Sequence, residues 1–217
     1  MIKTVIFDLD GLLVDSEPVW FRVRTEMFAR YGLRWTDEDQ KALMGRSTQA
    51  WIDYVTEKLE GRLGPDEVKA ETLAAMAQNY QAGRVALMRG ARKVLEHAAR
   101  RLPLGLASGS PHVLIDAALD AFGWGGYFQE VLSSDEVRRG KPAPDAYQEV
   151  LRRLMINPEE AVVVEDSGSG IAAGKAAGAF VVAVPNKALM PPPETLRSAD
   201  LVIDSLHDLI PYLEKNS

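Results

Sequence analysis

The 217-residue chain contains no cysteine and only three histidines, and aromatic residues make up 7% of it. The absence of cysteine excludes disulfide bonds, thiolate catalysis and cysteine-based zinc sites. No apolar run approaches the ~20 residues of a membrane-spanning helix, and the short apolar stretch after Lys3 ends at Asp8, unlike a secretory signal. The net charge of −6 argues against a broad nucleic-acid surface. We therefore expect a cytoplasmic globular protein that needs no nucleic acid, membrane or obligate protein partner.

Apolar, β-branched stretches alternate with amphipathic ones over most of the chain. This pattern predicts strands at 4–7, 103–107, 130–132, 161–164, 180–184 and 200–203. It predicts helices near 90–101, 111–122, 143–154, 168–177 and 205–214. Strands separated by helices indicate an α/β fold, a Rossmann-like doubly wound parallel sheet with helices on both faces.

One interval, residues 16–82, contains only helix-like sequence. Ser16, Glu17 and Pro18 resemble a helix start, with a cap residue and proline in the first turn. We expect an α-helical domain inserted at 16–82, and a core domain formed by residues 1–15 and 83–217.

Polar motifs occur where predicted strands run into loops. In an open α/β sheet, ligands bind outside the carboxyl ends of the strands. Each motif alone is more often a turn, a cap or a solvated side chain. Their common position at strand ends nevertheless predicts a single site. Its residues are Asp8, Asp10, Ser108, Gly109, Lys141, Glu165 and Asp166.

The charges at this site predict a divalent cation. Like unit charges ~4 Å apart repel by about 4 kcal/mol at an effective dielectric of ~20. Four carboxylates and one lysine therefore leave an excess of negative charge that a bound cation would balance. Hard oxygen ligands with room for water favour Mg²⁺.

The order Asp-x-Asp-Gly, Ser, Lys-Pro and Glu-Asp-Ser-x-x-Gly, over essentially the whole chain, resembles the haloacid dehalogenase-like hydrolase superfamily. The helical insertion after the first motif resembles the branch with a small helical cap, which includes β-phosphoglucomutase and sugar-phosphate phosphatases. The segment Asp15-Ser16-Glu17-Pro18-Val19-Trp20 looks most like phosphatases that act on 2-deoxyglucose and hexitol phosphates.

The resemblance implies a Mg²⁺-dependent phosphatase of small phosphorylated metabolites, with sugar or sugar-alcohol phosphates as the expected class. Asp8 would be the nucleophile that forms an aspartyl-phosphate. Asp10 would protonate the leaving oxygen and then activate water, and its backbone carbonyl would help bind the metal.

The resemblance also assigns the remaining residues of the site. Asp8 and Asp166 would bind the metal directly or through water, as would Glu165. Ser108, Gly109 and Lys141 would grip the phosphoryl oxygens.

Three residues of the insertion are candidate substrate contacts. Arg46 is a long cation that could reach a substrate oxygen, or a solvated surface arginine. Trp20 could stack on a sugar or belong to the core. Glu17 could bind a sugar hydroxyl, or it could be an acidic residue at a helix start.

Other functions stay open at this point. A β-phosphoglucomutase-like mutase is the first alternative, although such sequences carry histidine where this chain has Trp20. The histidines here, His97, His112 and His207, all lie outside 16–82. A receiver-type phospho-acceptor is disfavoured by Asp10 and by the insertion, and haloacid dehalogenation by Asp10. A degenerate binding protein is disfavoured because every chemical position is filled.

Overall fold

The structure, a computed structural model, describes residues 1–43, 47–186 and 190–217. The strands of these residues are β1 (Thr4–Phe7), β2 (Val14–Asp15), β3 (Ala86–Leu87), β4 (Leu104–Ser108), β5 (Phe128–Ser133), β6 (Ala161–Glu165), β7 (Phe180–Ala183) and β8 (Leu201–Val202). The helices are α1 (Glu17–Ala29), α2 (Asp37–Leu43), α3 (Thr48–Lys58), α4 (Pro65–Gln81), α5 (Ala91–Ala99), α6 (His112–Phe122), α7 (Asp145–Leu154), α8 (Gly168–Ala176), α9 (Pro193–Leu196) and α10 (Leu209–Asn216).

A parallel sheet forms the centre of the fold, with the strand order β5-β4-β1-β6-β7-β8. Strand β1 lies between β4 and β6, so the loops after these three strands meet at one edge of the sheet. The predicted α/β class and parallel sheet are confirmed. This order places Asp8, Ser108 and Glu165 at the same end of neighbouring strands.

Strand β1 is buried on both faces, which explains its unbroken apolar sequence. Val5 and Phe7 point into the hydrophobic cluster on one face of the sheet, whereas Ile6 points into the cluster on the other. Side chains alternate between the two faces of a strand. Burial of both faces holds the end of β1, and therefore Asp8, in a fixed position.

Helices α1 to α4 lie between β2 and β3, in the interval where the sequence predicts a helical insertion. Part of this region has its own hydrophobic cluster, which includes Phe28, Trp35, Trp51 and Val55. A short antiparallel ribbon joins the two ends of the insertion, with Val14 paired to Leu87 and Asp15 to Ala86. The chain therefore leaves and re-enters the sheet region at adjacent points.

Several predicted boundaries differ from the structure. The ribbon of β2 and β3 was not predicted, because two-residue strands have no periodicity to detect. The predicted strand at 200–203 is shorter, Leu201–Val202. The predicted helix at 205–214 begins as a 3-10 turn, Leu206–Asp208, and only then becomes α10. The last two differences lie at β8 and α10, away from the ends of β1, β4 and β6.

Candidate active site

Lys141 forms the centre of a buried charge cluster at the end of β1. Its Nζ donates to Asp8 Oδ1 at 2.6 Å, to Glu165 Oε1 at 2.6 Å and to the Ala107 carbonyl oxygen at 3.0 Å. An ammonium group has three N–H donors, so each has an acceptor. Burial lowers the pKa of Lys141, but the Asp8 and Glu165 carboxylates outweigh this effect and raise it well above its ordinary value. Lys141 is therefore a permanent cation beside Asp8.

Glu165 is fully buried and accepts five hydrogen bonds. Oε1 accepts from Lys141 and from the Tyr147 hydroxyl, each at 2.6 Å. Oε2 accepts from the backbone N–H groups of Asp166 and Ser167 and from the Ser167 hydroxyl, at 2.9–3.2 Å. Burial raises the pKa of Glu165, but Lys141 and these hydrogen bonds outweigh it and lower the pKa below its ordinary value. Both oxygens are thus occupied by protein donors.

The close approach of α8 to Glu165 requires a glycine. A Cβ on Gly170 would lie 1.8 Å from the Glu165 carboxyl carbon. Ser167 caps this helix, because its side chain accepts from the Gly170 N–H. The small residue and the cap together bring the first turn of α8 against the carboxylate.

Asp166 differs from Glu165 in its hydrogen bonds and in the direction of its pKa shift. It is buried, and its Oδ1 has no hydrogen-bond partner among the described residues. Burial and the neighbouring carboxylates of Glu165 and Asp8 raise the pKa of Asp166 well above its ordinary value. Burial likewise raises the pKa of Asp8, to about 8, against the effect of Lys141. Such an acidic cluster is most easily ionised when a cation is bound.

The acidic cluster fits a hard divalent cation. Asp8, Glu165 and Asp166 each offer a carboxylate oxygen, and these atoms lie within 4.8 Å of one another. Oxygen-only donors are typical of Mg²⁺ sites. The unpartnered Oδ1 of Asp166 is a buried acceptor that a cation would satisfy. The donor set therefore agrees with the magnesium expectation.

Asp10 lies across the turn from Asp8 and is held by three hydroxyl groups. Ser16 donates to its Oδ1 at 2.6 Å, and Ser110 and Ser108 donate to its Oδ2 at 2.7 and 3.3 Å. Gly11 makes this turn possible with a φ of +85°, a conformation that residues with a Cβ rarely adopt. The arrangement directs the Asp10 carboxylate toward the loop after β4.

The loop after β4 contains the predicted phosphate-binding residues Ser108 and Gly109. Ser108 is fully buried, and its Oγ accepts from the Ser110 N–H at 3.0 Å. Gly109 is exposed and precedes α6, and nothing lies within 4 Å of the position that a Cβ would take there. Unhindered backbone N–H groups at a helix start suit an anion. The structure thus brings Ser108, Gly109 and Lys141 to the ends of the strands that also position Asp8.

Two of the three predicted substrate contacts in the insertion lie among the described residues. Glu17 lies at the first turn of α1, where its Oε2 accepts from Gln40 at 2.8 Å. Trp20 is 8% exposed and lies edge-on to Trp51, with ring centroids 6.0 Å apart, which is the environment of a core side chain. Arg46 lies outside the described residues.

Sequence reasoning did not find Tyr147, Ser110 or Gln40. Tyr147 lies in the middle of α7, where its spacing is that of a core residue. Ser110 is two residues beyond Ser108, and its proximity to Asp10 follows from the parallel pairing of β1 with β4. Gln40 belongs to no recognisable sequence motif. For Ser110 alone, its place in the strand-end loop was a usable signal.

Comparison with known proteins places these residues in a family. Residues 5–184 match the family model of haloacid dehalogenase-like hydrolases. The chain is 30% identical over 213 residues to hexitol phosphatase B of Escherichia coli, covering 96% of this chain and 94% of that one. It is 32% identical over 207 residues to a bifunctional riboflavin kinase/FMN phosphatase of Arabidopsis thaliana, covering 94% of this chain but only 54% of that protein.

Among solved structures, CbbY from Rhodobacter sphaeroides in complex with phosphate is similar, with a TM-score of 0.85 and 27% identity over 96% of both chains. Among the described residues, no helix is both long and apolar enough to cross a membrane. The expected resemblance, including that to hexitol phosphatases, is confirmed, and so is the expectation of a phosphoric monoester hydrolase. The chain belongs to the haloacid dehalogenase-like hydrolase family.

Proposed function

We propose that this protein is a Mg²⁺-dependent phosphatase of sugar or sugar-alcohol phosphates that works through an aspartyl-phosphate on Asp8. The observation that carries the proposal is the position of the buried Asp8 carboxylate. It lies 2.6 Å from the Lys141 ammonium, in the same turn after β1 as Asp10. The name of the similar hexitol phosphatase supports the substrate class.

Asp8 supplies the nucleophile in this proposal. Its oxygen attacks phosphorus, and the bond from phosphorus to the leaving oxygen breaks. Asp10 donates a proton to that oxygen, and then takes a proton from the water that cleaves the aspartyl-phosphate. Lys141, Ser108 and the Gly109 N–H stabilise the charge that spreads over the phosphoryl oxygens.

Asp8, Asp166 and the backbone carbonyl of Asp10 would hold the Mg²⁺, which supplies positive charge against the phosphoryl group. We assign Glu165 to the arrangement through water, because both of its oxygens already accept protein hydrogen bonds. Glu165 then serves mainly to hold Lys141 and the first turn of α8 in place.

We also propose that residues 16–82 act as a cap domain over a core of residues 1–15 and 83–217. The ribbon of β2 and β3 joins the two parts. A cap of this kind selects the leaving group and excludes water from the phosphoryl group. Arg46 stays a predicted substrate contact, and cytoplasmic residence and the absence of nucleic-acid, membrane and obligate protein partners stay predictions.

The test is release of inorganic phosphate from a panel of hexose phosphates, hexitol phosphates, nucleotides, FMN and phosphoglycolate with saturating Mg²⁺. We expect multiple turnovers concentrated on sugar or hexitol phosphates, and loss of turnover in Asp8→Asn with the fold retained. Retention of more than a few per cent of phosphate release in Asp8→Asn would remove Asp8 as the nucleophile. Isomerisation of β-glucose 1-phosphate without phosphate release would establish the mutase alternative.

A further inference from the structure

A buried arginine lies among three tryptophan rings in the helical insertion. Arg24 is 5% exposed, and its guanidinium carbon lies 4.7 Å from the ring centroid of Trp20, 5.6 Å from that of Trp35 and 5.9 Å from that of Trp51. Burial lowers the pKa of Arg24 to about 10, so it stays charged at neutral pH. A buried charge requires hydrogen-bond partners and a counter-charge.

Gln40 connects this charge to Glu17. Its Oε1 accepts from Arg24 Nη1 and from Trp35 Nε1, each at 3.0 Å. Guanidinium and indole nitrogens can only donate, so the Gln40 atom that faces them must be the oxygen. Its amide nitrogen is therefore fixed on the other side, where it donates to Glu17 Oε2 at 2.8 Å.

Glu17 is oriented by this contact at the edge of the site. It directly follows Ser16, whose hydroxyl is bound to Asp10. Among the described residues, no donor is bound to Glu17 Oε1. Burial raises the pKa of Glu17, and the Asp10 and Asp15 carboxylates add to the increase, while Gln40 and Arg24 oppose it. One oxygen is thus held by Gln40. The other has no donor among the described residues, and Glu17 is the neighbour in sequence of Ser16, which binds Asp10.

We propose that Gln40, held by Arg24 and Trp35, is a positioning residue that fixes the Glu17 carboxylate. In this orientation Glu17 Oε1 accepts a hydrogen bond from a hydroxyl of the leaving group. This inference rests on the proposed function, because it assigns the hydroxyl to a sugar or sugar alcohol. A site built to hydrogen-bond a substrate hydroxyl rejects analogues without one, because the polar group is then left unpaired. The Gln40 contact would therefore contribute to substrate selection and leave the phosphoryl-transfer residues in place.

The decisive variant is Gln40→Glu, which places a second carboxylate oxygen against Glu17 Oε2 and displaces Glu17 by repulsion. The measured quantity is the ratio of kcat/KM for sorbitol 6-phosphate to that for 4-nitrophenyl phosphate, which has no hydroxyl on its leaving group. We expect this ratio to fall by about tenfold, the usual effect of losing one hydrogen bond to a charged group. The loss should appear mainly in KM.

The control is Gln78→Glu, the same chemical change on an exposed position of α4. We expect it to leave the ratio unchanged. If Gln40→Glu does not fold, Gln40→Met replaces it, since methionine keeps the length of the side chain and lacks the amide donor. A parallel fall for both substrates, or no change for either, would overturn the proposal.

Binding to the inactive Asp8→Asn protein separates this inference from the proposed function. Calorimetry compares sorbitol 6-phosphate and inorganic phosphate, with and without Gln40→Glu. Weaker binding of sorbitol 6-phosphate alone supports the role of Gln40. Equal weakening of both ligands, or none, contradicts it. A wild-type protein that hydrolyses none of the phosphate esters would refute the proposed function, while these binding data would still decide the role of Gln40.

Discussion

The hydroxyl of Tyr147 donates a hydrogen bond to Glu165 Oε1 over 2.6 Å, and both residues are fully buried. The same ring lies 4.8 Å from the Lys141 Nζ. Tyr147 therefore contacts both members of the ion pair between Lys141 and Glu165, one through its hydroxyl and the other through its ring.

We expect Tyr147→Phe to reduce the free energy of unfolding by about 1–3 kcal/mol, because a buried carboxylate loses a donor that no solvent can replace. Phenylalanine keeps the ring beside Lys141, so the variant tests the hydroxyl alone. Urea unfolding measures the change. Tyr127→Phe is the control, since Tyr127 is partly exposed. Equal effects of the two variants would show that the bond to Glu165 contributes nothing.

The sequence predicted the ends of β1 and β6 because their apolar runs stop at paired carboxylates. Parallel neighbouring strands bring such ends together, so Asp8 and Asp166 could be assigned to one site without coordinates. Tyr147 could not, because it lies 18 residues from Glu165 and has the spacing of a core residue. Gln40 lies 23 residues from Glu17, and their contact depends on how α2 packs against α1. Only tertiary packing determines such contacts.

Gly11 and Asp166 are in close contact, and this gives a second prediction. A Cβ on Gly11 would lie 2.3 Å from Asp166 Oδ2, and the φ of +85° strains any residue with a side chain. Gly11→Ala should therefore displace Asp166 and weaken Mg²⁺ binding, in addition to a strain of about 1–2 kcal/mol. Thermal unfolding with and without Mg²⁺ measures both effects.

Gly32→Ala is the matched control for this variant. Gly32 has a φ of +70°, and nothing lies within 4 Å of a Cβ there. It should show the strain alone and keep the full stabilisation by Mg²⁺. If Gly11→Ala also keeps that stabilisation, Asp166 does not depend on the space beside Gly11.

Mg²⁺ should stabilise the protein more strongly as the pH rises from 6 to 8.5. The raised pKa values of Asp8, about 8, and of Asp166 mean that the metal-free site retains protons below that pH. Those protons must leave before the carboxylates can bind a cation. Without metal, stability changes with pH in the opposite direction. The folded state then binds more protons than the unfolded chain, so the contribution of Asp8 to stability falls as the pH rises toward about 8.

The measurement for this prediction is the Mg²⁺-induced increase in Tm at pH 6, 7 and 8.5. Asp8→Asn should show a smaller increase that depends less on pH, because one titrating ligand is gone. An increase that is constant or that shrinks with rising pH would contradict the assignment of these carboxylates to the metal.

A separate pH dependence should arise in the helical insertion. The buried Asp39 carboxylate accepts hydrogen bonds from Lys58, from Tyr54 at 2.8 Å and from Thr36. Burial raises its pKa, but these bonds outweigh that effect and lower it from 3.8 to about 2. A carboxyl whose pKa is lowered by folding stabilises the folded state at pH values above its pKa in the unfolded chain, here by about 2 kcal/mol. This contribution should be lost as the pH falls through about 2.

Asp39→Asn tests the source of this dependence, because asparagine keeps the shape and does not titrate. Between pH 5 and pH 2, the free energy of unfolding of the wild type should fall by about 2 kcal/mol more than that of Asp39→Asn, as measured by urea unfolding. The exposed Asp37, in the first turn of the same helix, provides the control variant Asp37→Asn, which should follow the wild type. If Asp39→Asn loses as much stability as the wild type over this range, the acid sensitivity arises elsewhere in the chain.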